Sequence, residues 1–128
     1  MTRIGSCPCG AVRYTITGPV RDVIVCHCDA CRAAAGGPWH ASAARREDFV
    51  LAAPGALVWT KAEVSEHDAS RGACRECEAY LIWDAPARDT VSFAADTLER
   101  SGDLAVAAHI WVPEGEVVPE PLPVRWHD

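Results

Sequence analysis

Apolar and polar residues alternate along this chain in short runs broken by turn formers, the pattern of a β-rich domain. Residues 11–17 (Ala-Val-Arg-Tyr-Thr-Ile-Thr) alternate and predict a strand. Gly18-Pro19 predicts a turn, and residues 20–26 a second strand that folds back on the first as a hairpin. Further strands are expected over 39–44, 57–60, 79–83, 90–94 and 109–112. Residues 45–49 read as a polar turn or one helical turn before Val50-Leu51, and Pro54-Gly55 as another turn. The polar stretch 61–71 is expected to continue a sheet at its edge. Helix formers gather only at Arg32-Ala33-Ala34-Ala35, where Gly36-Gly37-Pro38 stops them. The tail, 113–128, is rich in Pro and Glu, with Val117-Val118 and Val124-Arg125-Trp126 as anchors. Trp59, Trp83 and Trp111 lie in strand patterns and are expected in the core; Trp39 is placed to wall a pocket. The fold class is therefore mainly β, a single domain with short helical turns.

A chain of 128 residues can bury one real core. No apolar run approaches the roughly 18 residues of a membrane span, so no membrane is expected as a partner. The opening Met1-Thr2-Arg3-Ile4-Gly5-Ser6-Cys7 lacks the apolar centre of a signal peptide, which predicts a cytoplasmic location. A net charge of −6 disfavours nucleic acid, because phosphate contacts need a surplus of Lys and Arg.

The seven cysteines change the picture. Disulfides explain them poorly: the number is odd, the expected compartment is reducing, and Cys7 and Cys9 are too close for an easy bridge. Their spacing reads as metal binding. They form three groups, Cys7/Cys9, Cys26/Cys28/Cys31 and Cys74/Cys77. Two pairs from separated knuckles complete a tetrahedral structural zinc, so Cys7, Cys9, Cys74 and Cys77 are assigned to one. The remaining trio follows the apolar run Val23-Ile24-Val25. On an extended strand Cys26 and Cys28 share a face, and Asp29 is a candidate helix N-cap before Cys31. Three thiolates leave a fourth position on zinc, either open for chemistry or closed as a Cys3His site. His27 is a weak candidate for that position, since on a strand it points away from its neighbours; His40 and His67 reach it only by tertiary contact. Two zincs per chain are expected, the second held less firmly. An open zinc suits thiol chemistry, because the metal lowers a bound thiol's pKa and holds its sulfur for attack.

With these groups in place, the chain resembles the glutathione-dependent formaldehyde-activating enzyme family, also called the centromere-protein-V/Gfa domain, over residues 3–126. The motifs that carry the resemblance are Gly5-Ser6-Cys7-Pro8-Cys9-Gly10-Ala11-Val12-Arg13-Tyr14, Cys26-His27-Cys28-Asp29-Ala30-Cys31-Arg32 with Gly36-Gly37-Pro38, Arg71-Gly72-Ala73-Cys74-Arg75-Glu76-Cys77, and His109-Ile110-Trp111-Val112. The resemblance implies an Mss4-like β-sheet fold, a structural zinc on Cys7, Cys9, Cys74 and Cys77, and a catalytic zinc on Cys26, Cys28 and Cys31. The activity it implies is joining glutathione to formaldehyde, a carbon–sulfur lyase reaction with a small-molecule thiol and aldehyde as partners. Two positions depart from the family. Ala73 stands where it has an aromatic, and Glu78 where it has glycine, which alters the turn if that turn needs a positive φ.

Two functions follow. The first is an enzyme that adds a zinc-held thiolate to an aldehyde. Its proton donor is sought among His27, His40 and His67, and Arg32, Arg45 and Arg46 are candidate anchors for the thiol substrate's carboxylates. His109, in an apolar strand, reads as a satisfied sheet residue. The alternative is a non-catalytic zinc-binding protein-interaction module of the same fold, docking through the acidic tail between Glu114 and Glu120.

Overall fold

Strands dominate the described residues, 2–62 and 68–128, of a computed structural model. In chain order they are β1 (Thr2–Ser6), β2 (Arg13–Thr17), β3 (Val20–Arg21), β4 (Val23–Cys26), β5 (Trp39–Arg45), β6 (Phe49–Leu51), β7 (Leu57–Lys61), β8 (Ser70–Cys74), β9 (Tyr80–Asp84), β10 (Thr90–Ala94), β11 (Val106–Ile110) and β12 (Trp126–His127). The single α-helix among these residues, α1 (Asp29–Ala35), lies between β4 and β5. The chain is mainly β, as its patterning predicts. Among the described residues no helix is long and apolar enough to cross a membrane.

A small antiparallel sheet has the order β1-β2-β6. A larger one runs β11-β4-β5-β10-β9-β8-β7, with β3 beside β5 and β12 beside β3. All its pairings are antiparallel except β4 with β11. Central β5 is buried on both faces from Ala41 to Ala44, which is why its residues are small. Between the sheets Tyr14 stacks on Phe49 (centroids 5.0 Å apart) and leans on Phe93 (5.6 Å). The Tyr14 ring also fills the space where a Cβ at Gly5 would stand, so Gly5 admits no side chain.

The expected hairpin between residues 11–17 and 20–26 does not form. β2 pairs with β1 and β6, while the second segment breaks at Asp22 into β3 and β4 of the other sheet. The break has a physical cause. Asp22 is buried, and its carboxylate accepts the amides of Ala105 (3.0 Å) and Arg125 (3.1 Å) and faces His127 Nε2 at 2.7 Å. A carboxylate turned inward takes its own residue out of the ladder and draws the C-terminal segment in. Arg3, also buried, does the same from β1: it pairs with Asp103 at 2.6 Å and donates to the carbonyls of Arg100 and Asp128.

Trp59 and Trp111 are not in the core. Trp59 lies on edge strand β7, where only Leu57 is buried, and is 44% exposed. Trp111 has φ 55°, which ends β11 one residue earlier, and is 75% exposed. Trp83 is half-buried under the Arg88 guanidinium. The described ends of the stretch 61–71 border the sheet: Lys61 closes β7, Ser70 opens β8, and Lys61 pairs with Asp68. Residues 63–67 lie outside the described residues, and with them the candidate His67.

Burial opposes the charge on Asp22, but the Ala105 amide, the His127 ring and the Arg125 amide outweigh it and hold the carboxyl below its ordinary range. A depressed carboxyl contributes stability that is present above the unfolded-state pKa of about 3.9 and is lost as pH falls through the lower folded value. Asp22→Ala should therefore lower stability at neutral pH by about 2–4 kcal/mol, since it strands two amides. Denaturant titrations from pH 7 to pH 3 should show a smaller loss on acidification for the variant than for wild type.

Candidate metal centres

The first centre is built by two backbone knuckles. Cys7 follows β1, and its loop closes through Gly10 N–H to the Cys7 carbonyl (3.0 Å) and Cys7 N–H to the Val12 carbonyl (3.0 Å). Cys74 ends β8, and its loop closes through Glu78 N–H to the Cys74 carbonyl (2.9 Å). Amides point at sulfur in both loops: Val12 N–H at Cys7 Sγ (3.3 Å), and Glu76 and Cys77 N–H at Cys74 Sγ (3.4 Å each). Such donors stabilise thiolate charge. The Sγ atoms of Cys7, Cys9 and Cys74 are 3.5, 3.7 and 3.6 Å apart, and Cys77 joins them within 4.8 Å. Sulfurs on a tetrahedral zinc with bonds of roughly 2.3 Å stand about 3.8 Å apart, so this donor set fits that ion. Cys7 and Cys74 also belong to a buried cluster with Val12, Leu57, Leu81, Ile82 and Val91, which makes the centre part of the core.

The Cys74 knuckle answers the question raised by Glu78. Its turn does require a positive φ, and Glu78 adopts it at 64°. The knuckle keeps its geometry, and the strain is borne by a residue with a side chain.

The second centre sits where several strands of the large sheet end together. Cys26, the last residue of β4, pairs with Trp39, the first of β5, and with Ile110, the last of β11. The chain then turns into α1. Cys28, rather than Asp29, is the N-cap: its Sγ accepts the Cys31 amide at 3.3 Å, and Asp29 is the first helical residue. Gly36 closes the helix in the left-handed region (φ 78°). The strand end and this cap bring Cys26, Cys28 and Cys31 within 4.8 Å of one another, with Cys26 and Cys31 at 3.3 Å. A hydrogen bond from Cys31, followed by that from the Cys28 amide, outweighs burial and brings Cys26 down to about 6. The same bond, with burial, pushes Cys31 up. Cys26 thus ionises readily while Cys31 holds its proton, a proton that a cation ligated by both sulfurs would displace.

Among the described residues no histidine or carboxylate joins either sulfur group. His27 is buried and engaged elsewhere: Nε2 meets His109 Nδ1 at 2.9 Å, and Nδ1 lies 3.2 Å from Arg32 Nη2. His109 is thereby the satisfied sheet residue expected. His40, next to Trp39 on β5, faces the opposite side and lines an open depression with Val23, Asp96 and Leu104. Arg32, on α1, stands beside the trio, donates to the His27 carbonyl at 3.0 Å and approaches Glu116 at 3.9 Å. Arg45 and Arg46 do not come near it. Arg45 pairs with Thr90 at the far end of β5, about 20 Å along the strand from Trp39, and Arg46 is bound to Asp84 at 2.7 Å. Trp39 does stand at the site, buried and stacked on Tyr80.

Two neighbours of the trio escape a reading of spacing, Arg71 of β8 and Tyr80 of β9. Both are far from residues 26–31 in sequence and reach them only through the order of the strands. The signal available was their position flanking the Cys74/Cys77 knuckle.

A family model described as "Glutathione-dependent formaldehyde-activating enzyme" matches residues 2–114. The crystal structure of a Rhodobacter sphaeroides protein, 21% identical, superposes with a TM-score of 0.63 over 83% of this chain and 98% of that one, a likeness of fold. No curated protein matches the chain.

Glu78→Gly should relieve the strain at φ 64°. We expect it to stabilise the zinc-loaded protein by up to about 1 kcal/mol, read as a higher denaturant midpoint at unchanged zinc content. A lower midpoint would mean that the Glu78 side chain contributes more than its backbone strain removes.

Proposed function

Because the chain belongs to the glutathione-dependent formaldehyde-activating enzyme family, we propose that it is a zinc-dependent enzyme of the carbon–sulfur lyase type, adding glutathione or a similar thiol to formaldehyde or another small aldehyde. The observation that carries this reading is the division of the sulfurs into a group of four and a group of three. The group of four is knitted into the core and suits a structural role. The group of three gathers at a strand end beside a short helix, where Cys26 and Cys28 are only half-buried and a small thiol has access. A zinc on those three thiolates supplies a lowered pKa and a fixed position to the incoming thiol.

The chain's own residues then orient the encounter. The Cys28 cap fixes the start of α1, and with it the side of the site on which Arg32 stands. Arg32 is the one of the three candidate arginines within reach of a carboxylate on the thiol substrate. In the addition, the thiolate sulfur bonds to the carbonyl carbon, the C=O pair moves onto oxygen, and a proton from water completes the hydroxyl. The disulfide-free cysteines suit a reducing compartment, and we assign the reaction to the cytoplasm.

One observation favours the alternative of a zinc-binding interaction module. The tail turns Val117 (96% exposed) and Leu122 to solvent, as a docking segment would.

Zinc content and turnover of formaldehyde with thiol, measured against the uncatalysed addition, separate the two readings. Wild type should hold about two zincs per chain and accelerate the reaction. Cys28→Ser should fall towards about one zinc and lose turnover, yet stay folded, because serine is itself a good N-cap. Cys74→Ser should unfold. Two zincs with no acceleration would favour the module, and equal unfolding by both substitutions would contradict the division of roles.

A further inference from the structure

Two polar groups beside the trio have no role in the preceding account. Tyr80 opens β9 and is 5% exposed. Its ring stacks on Trp39 with centroids 4.0 Å apart and planes 8° apart, and Trp39 Nε1 donates to the Tyr80 carbonyl at 3.2 Å. Trp39 and Tyr80 share a buried cluster with Cys31, and Cys26 and Cys28 pack against it. Arg71, on the neighbouring strand, carries its guanidinium over the Tyr80 ring, 5.9 Å from the centroid. A break in the β8–β9 register between Gly72 and Ala73 lies between the two residues, the kind of irregularity that re-aims side chains. The charge of Arg71 is felt at both Cys26 and Cys31.

Both residues carry an orphan. Tyr80 Oη and Arg71 Nε are buried with no hydrogen bond of good geometry, and the rest of the Arg71 guanidinium leans on Cys31 and on the Tyr80 hydroxyl. A buried polar atom left unpaired is costly, so two of them side by side, one held by stacking on Trp39, call for a further acceptor.

We propose that Arg71 and Tyr80 form an oxyanion-binding pair beside the three-cysteine centre, which receives the negative charge developing on the aldehyde oxygen as the thiol adds. This rests on the reading of the trio as a thiol-addition site. As the carbon–sulfur bond forms and the C=O pair moves onto oxygen, the phenol and the guanidinium donate hydrogen bonds to the resulting alkoxide, and water then supplies its proton. The donors are fixed before the charge appears, which is what makes such a pair effective. The simpler role for Arg71, offsetting the charge of three thiolates, predicts a different result: it affects zinc retention but not which ligand binds.

The test is ligand preference in the zinc-loaded protein, measured by calorimetry with two probes, mercaptoacetate and ethanethiol. Both offer a thiol, and only mercaptoacetate carries an oxyanion next to it. Wild type should prefer mercaptoacetate by at least about tenfold. Arg71→Met and Tyr80→Phe should each lose most of that preference while keeping zinc content and ethanethiol affinity. Turnover should fall about a hundredfold or more with Arg71→Met. Tyr80→Phe removes a single oxygen, so it still reads the proposal if Arg71→Met does not fold. Equal binding of both probes by wild type, or a preference that survives in both variants, would overturn the oxyanion pair alone. Binding of neither probe would instead overturn the thiol site, and the pair with it.

Discussion

Thiolates repel one another, and a protein that gathers them must supply a cation between them. Here that constraint acts twice, on sulfur groups whose members lie within 4.8 Å of one another. The four-sulfur group joins the loop after β1 to the end of β8, elements that sit in different sheets. Cys7 and Cys74 are buried among Val12, Leu57, Leu81, Ile82 and Val91, so an ion that satisfied them would also close the core. Binding energies of structural zinc, roughly 10–16 kcal/mol in apparent terms, are comparable to the whole stability of a domain this size.

The three-sulfur group uses the same chemistry for a different end. It lies at the rim of the large sheet, where β4, β5 and β11 meet at Cys26, Trp39 and Ile110. The strand ends supply a rigid frame, and the Cys28 cap sets a candidate metal ligand at the start of α1. Aromatic stacking of Trp39 on Tyr80 carries that rigidity across to β9 and the arginine beside it. A centre with only three ligands among the described residues gains most from such a frame, because its geometry is otherwise set by few bonds.

Much of this was legible along the chain. Alternation marks most of the strands, since their inward positions are apolar, as with Tyr14 and Ile16 of β2. Cysteine spacing sorts the ligands, because each knuckle is local and its geometry follows from a few neighbouring residues. What stayed hidden in the strand pattern depends on polar residues turned inward. β1 shows no apolar alternation because its buried positions are Arg3 and Gly5. The strand at 20–26 looks continuous, yet buried Asp22 divides it between partners. Arg45 and Arg46 read as site residues by their charge, and the length of β5 carries them away from it. Arg71 and Tyr80 are brought to the trio by strand order, which no short window of sequence contains.

The central claim, a division of seven sulfurs into four and three around two ions, is tested most directly by zinc X-ray absorption on the fully loaded protein. The account predicts an average of about 3.5 sulfurs per zinc at roughly 2.3 Å, with a lighter scatterer near 2.0 Å completing the average shell. Added thiol should raise the sulfur count to about four. A shell that holds four sulfurs before thiol is added, or a histidine signature that thiol does not displace, would contradict it.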